Sequence, residues 1–108
     1  MTDGGRPVHH WLLTYTLAPD YLPRREALRA EHLALAAAAA GRGDLLLGGA
    51  VYDGDGAAPE EALLLFADAA AAEAFAGSDP YVLHGLVTRW QVREWATVAG
   101  RQVENGAR

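Results

Sequence analysis

From Val8 to Thr16 (VHHWLLTYT) branched and aromatic residues follow one another in a way that suits a strand, with Trp11, Leu13 and Tyr15 on one face and Leu12 on the other. Residues 18–22 break this pattern. Pro23 fits a first helical turn, and Arg24 to Ala40 is built of strong helix formers, so a helix is predicted there with Gly41 as its left-handed stop. A second strand is predicted over Asp44 to Tyr52 (DLLLGGAVY), where Gly48 and Gly49 mark a bulge or a close approach. After a polar turn segment, Ala62 to Ala67 (ALLLFA) reads as a third strand that is apolar on both faces. Asp68 is placed to cap a helix from Ala69 to Ala76 that stops at Gly77, and Asp79-Pro80 starts a further single turn. A last strand runs from Val87 to Val98, with Trp90, Val92, Ala96 and Val98 on one face and Arg89, Gln91, Arg93 and Trp95 on the other.

Strand, helix, strand, strand, helix, strand is the split βαβ order, so the fold class expected is α+β, ferredoxin-like, with an antiparallel sheet. Two helices cover only one side of such a sheet. Trp11, Leu13 and Tyr15 nevertheless oppose Leu12, and Leu63 and Leu65 oppose Leu64 and Phe66, so both faces of the inner strands read as apolar. A second copy of the chain, sheet against sheet, is the economical cover, and a homodimer is expected.

The 108 residues, 51% of them hydrophobic and 21% charged, suit a single globular domain, expected over 8–99 between tails at 1–7 and 100–108. The longest apolar run, Leu33 to Ala40, is far short of the roughly 20 residues a membrane-spanning helix needs. No secretory signal precedes Val8 and there is no cysteine, so a cytoplasmic protein without a membrane partner is expected. A net charge of -5 with scattered basic residues argues against nucleic acid. The inventory narrows the chemistry further. All nine basic residues are arginine and Ser78 is the single serine, so Schiff-base lysine and thiol chemistry are excluded and a serine nucleophile rests on one residue. What remains is His, Asp, Glu, Arg, Tyr and water.

Arg29 and His32 lie three apart on the predicted helix and are therefore surface neighbours, and His32 borders the apolar stripe of Leu28 and Leu35. A histidine there reads first as a packed boundary residue, with a partly desolvated base as the alternative. Asp79 is accounted for by capping the Pro80 turn, Tyr81 by packing and Arg29 by solvation. His9 and His10 are adjacent in a strand and point to opposite faces, and His84 lacks a partner at ligand spacing, so no metal site is expected. Asp53-Gly54-Asp55-Gly56 opens like a calcium loop, but Ala57 and Leu64 stand where oxygen ligands belong.

Several segments together resemble the YCII-related (YciI-like) family of small bacterial proteins: Arg29-Ala30-Glu31-His32-Leu33, Gly43-Asp44-Leu45-Leu46, Asp79-Pro80-Tyr81 and the closing Trp90-Gln91-Val92-Arg93-Glu94-Trp95. The resemblance spans about Val8 to Val98 and implies a ferredoxin-like subunit that dimerises into an α/β barrel. It also implies a catalytic His32/Asp79 dyad, with Arg29 and Tyr81 as substrate-binding residues beside it. Gly48-Gly49 departs from the Gly-Pro pair common in the family, which puts the local pocket wall in doubt. The family looks related to muconolactone-isomerase-type and dehydrochlorinase-type barrels. Proton transfer without a cofactor, isomerisation or elimination on a small organic acid or aromatic, is the activity this implies; the alternative is a noncatalytic protein that binds a small ligand in the same cleft.

Overall fold

A computed structural model describes residues 8–101. The expected N-terminal tail, 1–7, and residues 102–108 of the expected C-terminal tail lie outside the described residues. The elements are β1 (Val8–Leu17), α1 (Tyr21–Arg25), α2 (Arg29–Gly41), β2 (Leu45–Val51), β3 (Glu61–Phe66), α3 (Ala69–Ser78), α4 (Pro80–Leu83) and β4 (Val87–Thr97). The strands form one antiparallel sheet in the order β2-β3-β1-β4, so β1 and β3 are central and the chain has the ferredoxin-like topology. No helix among the described residues is long and apolar enough to cross a membrane.

Register explains how the sequence divides between the faces. Leu13 stands opposite Leu64 and Val92, and Tyr15 opposite Ala62 and Trp90, so this row shares the face on which the helices pack. Leu13, Tyr15, Leu64 and Phe66 are buried there with Ala72, Phe75 and Ala76 of α3. Leu12 stands opposite Leu65 and Arg93, and Thr14 opposite Leu63 and Gln91, on the face that no helix of the chain covers.

Three local expectations are corrected. The single helix expected from Arg24 to Ala40 is two helices separated at residues 26–28, where Leu28 N–H donates to the Arg25 carbonyl at 2.9 Å and closes a tight turn. On one continuous helix Leu22 and Leu28 would point about 120° apart; with the break both pack against the core. The left-handed stop is Gly43 (φ +84°), while Gly41 remains helical. The helix expected to end at Ala76 continues to Ser78, because Gly77 keeps negative φ and the extended Asp79 ends it. At the second strand, the register shift falls between Leu45 and Leu47. Gly48 is instead a close approach: a Cβ there would sit 3.1 Å from Leu64 Cγ.

Candidate functional site

The site is assembled where α2, α4 and β1 meet. The Asp79 carboxylate is an N-cap: Oδ1 accepts from the Tyr81 backbone N–H at 3.0 Å, and Pro80 supplies the fixed first-turn geometry. Capping uses only part of its capacity. The same Oδ1 lies 2.9 Å from His32 Nδ1, and Oδ2 accepts from the Tyr15 hydroxyl at 2.7 Å. Asp79 is wholly buried, and three donors replace the water that burial removes from it. Burial, reinforced by the Asp79 charge and the hydrogen bond to it, pushes the Tyr15 hydroxyl far above its ordinary ionisation range, so it stays a donor.

His32 is held by its ring as well as by its nitrogen. It stacks on Tyr81 with centroids 3.9 Å apart and planes 7° from parallel, and meets Phe75 edge-on at 6.2 Å. With Nδ1 directed at a carboxylate, the tautomer that satisfies both groups places the proton on Nδ1 and leaves the Nε2 lone pair available.

His32, Arg29 and Tyr81 line one cavity of about 240 Å³, and Asp79 stands behind His32. The four residues singled out from sequence are therefore brought to one place. Gly48 and Gly49 of β2 also line this cavity, and a Cβ at Gly48 would crowd Leu64. Sequence reasoning missed Tyr15, Tyr21 and Arg25, which also line it. Tyr15 carried a signal: a tyrosine in the middle of an inward-facing strand row needs a partner for its hydroxyl. Arg25 carried another, since it lies four residues before Arg29 and like charges at that spacing repel unless something negative comes between them.

Tyr81 is also buried, yet its hydroxyl has no hydrogen-bond partner. Burial, and then the neighbouring Tyr21, push that hydroxyl up against the opposing pull of Arg29 and Arg25.

The remaining histidines stand elsewhere. His9 pairs with Glu94 on the helix-side face, and His10 Nδ1 lies 2.7 Å from Thr97 Oγ1 on the other. Among the described residues no group of three His, Asp or Glu side chains is gathered as a metal site.

The family model of the YCII-related domain matches residues 10–96. Among solved structures, the chain is similar to 5-chloro-2-hydroxyhydroquinone dehydrochlorinase (TftG) from Burkholderia phenoliruptrix, in complex with 2,5-dihydroxybenzoquinone, at 22% identity over 80% of this chain and 92% of that one, with a TM-score of 0.65. At that identity the likeness shows the fold. A second similar structure is Rv0793 from Mycobacterium tuberculosis, at 22% identity over 86% of this chain and 97% of that one, with a TM-score of 0.47. No curated protein matches the sequence significantly.

Proposed function

The chain belongs to the YCII-related domain family, and from that premise we propose that it is an enzyme that moves a proton on a small organic acid or aromatic molecule, with His32 as the base and no cofactor. The observation that carries the reading is the 2.9 Å contact between His32 Nδ1 and the buried Asp79 carboxylate, at the wall of a cavity. Asp79 fixes the ring and its tautomer, and it stabilises the imidazolium that forms when Nε2 takes a proton from the substrate. Tyr15 and the Tyr81 N–H hold the carboxylate in turn. In an isomerisation the imidazolium returns the proton to a different carbon. In an elimination the electron pair of the broken C–H bond forms the new double bond as the leaving group departs with its own pair. The cofold neighbour TftG, a dehydrochlorinase in complex with a benzoquinone, is consistent with a ring-sized substrate. The cavity volume agrees: an apolar cavity of roughly 150 Å³ accepts benzene, so about 240 Å³ accommodates one ring with one or two small substituents.

The test is a panel of unsaturated lactones and halogenated phenols incubated with the protein in deuterated water, read by deuterium uptake and by release of halide. Turnover by the native chain that disappears in His32→Ala, with the fold kept by circular dichroism, is the expected result. Retained turnover in the variant overturns His32 as the base, and a panel that is bound but never converted favours the noncatalytic ligand-binding reading.

A homodimer completes this reading. The uncovered face carries Leu12, Leu63 and Leu65 at its centre, with Leu47 72% and Trp95 49% exposed around them, and a second sheet packed against it would bury them.

A further inference from the structure

The protein as a whole is acidic, with a net charge of -5. The cavity beside His32 has the opposite character. Two arginines, Arg25 and Arg29, line it, and no aspartate or glutamate does. Of the other described arginines, Arg24 pairs with Asp20 and Arg42 with Asp44, whereas Arg89, Arg93 and Arg101 stand exposed to water without a carboxylate. Among the described residues Arg25 and Arg29 pair with no carboxylate. Both are half-buried, so their charges are less screened than on open surface.

A third group has the same need. The Tyr81 hydroxyl is buried, with the whole residue 3% exposed, and lacks any partner although its ring lines the cavity. An unmade hydrogen bond on a buried hydroxyl costs stability; the hydroxyl is closed to water, so a ligand oxygen becomes its acceptor once the groups covering it shift on binding. Both arginines act electrostatically on this hydroxyl. The rings place these groups in a continuous row: the Arg25 guanidinium carbon lies 5.7 Å from the Tyr21 ring centre, Tyr21 meets Tyr81 edge-on at 5.7 Å, and Tyr81 stacks on His32.

We propose that Arg25, Arg29 and the Tyr81 hydroxyl form a receptor for one anionic oxygen group, a carboxylate or an ionised phenol, of a flat substrate whose reacting atom is presented to His32. This rests on the reading of the cavity as the place where His32 acts, and it narrows the substrate class to small unsaturated or aromatic acids. The receptor also supplies what the base requires. Charge that develops on the substrate when its proton leaves is delocalised toward the anionic end, where two guanidinium groups and a hydroxyl donor stabilise it.

The test uses the full chain, isothermal titration at low salt, and two acids, benzoate and sorbate, each paired with its neutral amide. Each acid binds at least about ten-fold more tightly than its amide, because charge-assisted hydrogen bonds are made only by the acid. Arg25→Gln and Arg29→Gln each weaken acid binding about five-fold or more and leave the amides unchanged, whereas Tyr81→Phe weakens the acids by about two- to five-fold. Acids and amides that bind alike, or that both fail to bind, overturn the receptor, as does undiminished benzoate binding in both arginine variants. His32→Gln separates this proposal from the one it rests on. Acid selectivity absent from the native chain removes the receptor alone, and turnover surviving in His32→Gln removes the base alone.

Discussion

The two faces of the sheet each hold a recess, and the contrast between them is instructive. On the open face, Leu47, Leu65, Trp95 and Val98 border a space of about 800 Å³, more than three times the volume of the cavity on the helix side. By size and apolar lining the open face looks like the better ligand site. The recess itself gathers little polar chemistry beyond the His10–Thr97 pair and Arg101, and the unpartnered Thr14 hydroxyl of that face lies outside its lining. On the helix side a smaller space collects a histidine braced by a buried carboxylate, two arginines without acidic partners and an orphaned hydroxyl. Volume marks a surface that needs covering, whereas convergent unsatisfied groups mark a place where a ligand is chemically expected.

The largest effect that tests this contrast is expected at Asp79. Asp79→Ala strands the Tyr15 hydroxyl, the His32 Nδ1–H and the Tyr81 N–H at once, and should cost about 3 kcal/mol or more in a urea titration as well as all turnover. A loss under about 1 kcal/mol would show that the network is not a structural centre of the helix side.

Neighbours in β3 separate the two faces. Leu64→Ala, on the covered face, should cost about 3 kcal/mol by urea denaturation. Leu65→Arg, on the open face, should leave the subunit folded but halve the mass seen by light scattering, because it places a charge in the proposed sheet-to-sheet interface. A monomeric native chain at micromolar concentration would refute that interface.

A smaller effect is expected from Tyr15→Phe, about 1 kcal/mol at neutral pH. Its signature is alkaline. The folded state raises the Tyr15 pKa above the ordinary 10.0, so above that pH the unfolded chain releases a proton that the native chain keeps, and stability falls as pH rises. Tyr15→Phe should remove a decline of roughly 1.4 kcal/mol per pH unit above that point and change nothing in the slope below it. The smallest effect belongs to Tyr81→Phe. Deleting a hydroxyl that has no partner should leave stability within about 0.5 kcal/mol of the native value or raise it, in contrast to the loss at Tyr15.

Much of this architecture is legible in the chain. Alternation places Leu13 and Leu12 on opposite faces, and Asp68 and Asp79 are readable as caps because each precedes a helical run with the side chain that caps need; both accept the N–H two or three residues on. The break at residues 26–28 is not readable, because every residue there tolerates a helix and only the docking of Leu22 and Leu28 on the core requires a turn. His32 and Asp79 are 47 positions apart, and spacing alone does not pair them; the family resemblance did. Tyr15 was legible as a core residue but not as the donor to Asp79, since strand periodicity reports which way a side chain points and not what meets its end.

Proton transfer by His32 requires that Nε2 be free while Nδ1–H is held by Asp79. Long-range proton–nitrogen NMR of the uniformly labelled chain, recorded well above the ordinary histidine titration range, reads the tautomer directly. The expected result is a protonated Nδ1 and an unprotonated Nε2, with the pattern lost in Asp79→Ala. A neutral His32 carrying its proton on Nε2, with Nδ1 accepting a hydrogen bond from a protonated Asp79, would contradict it.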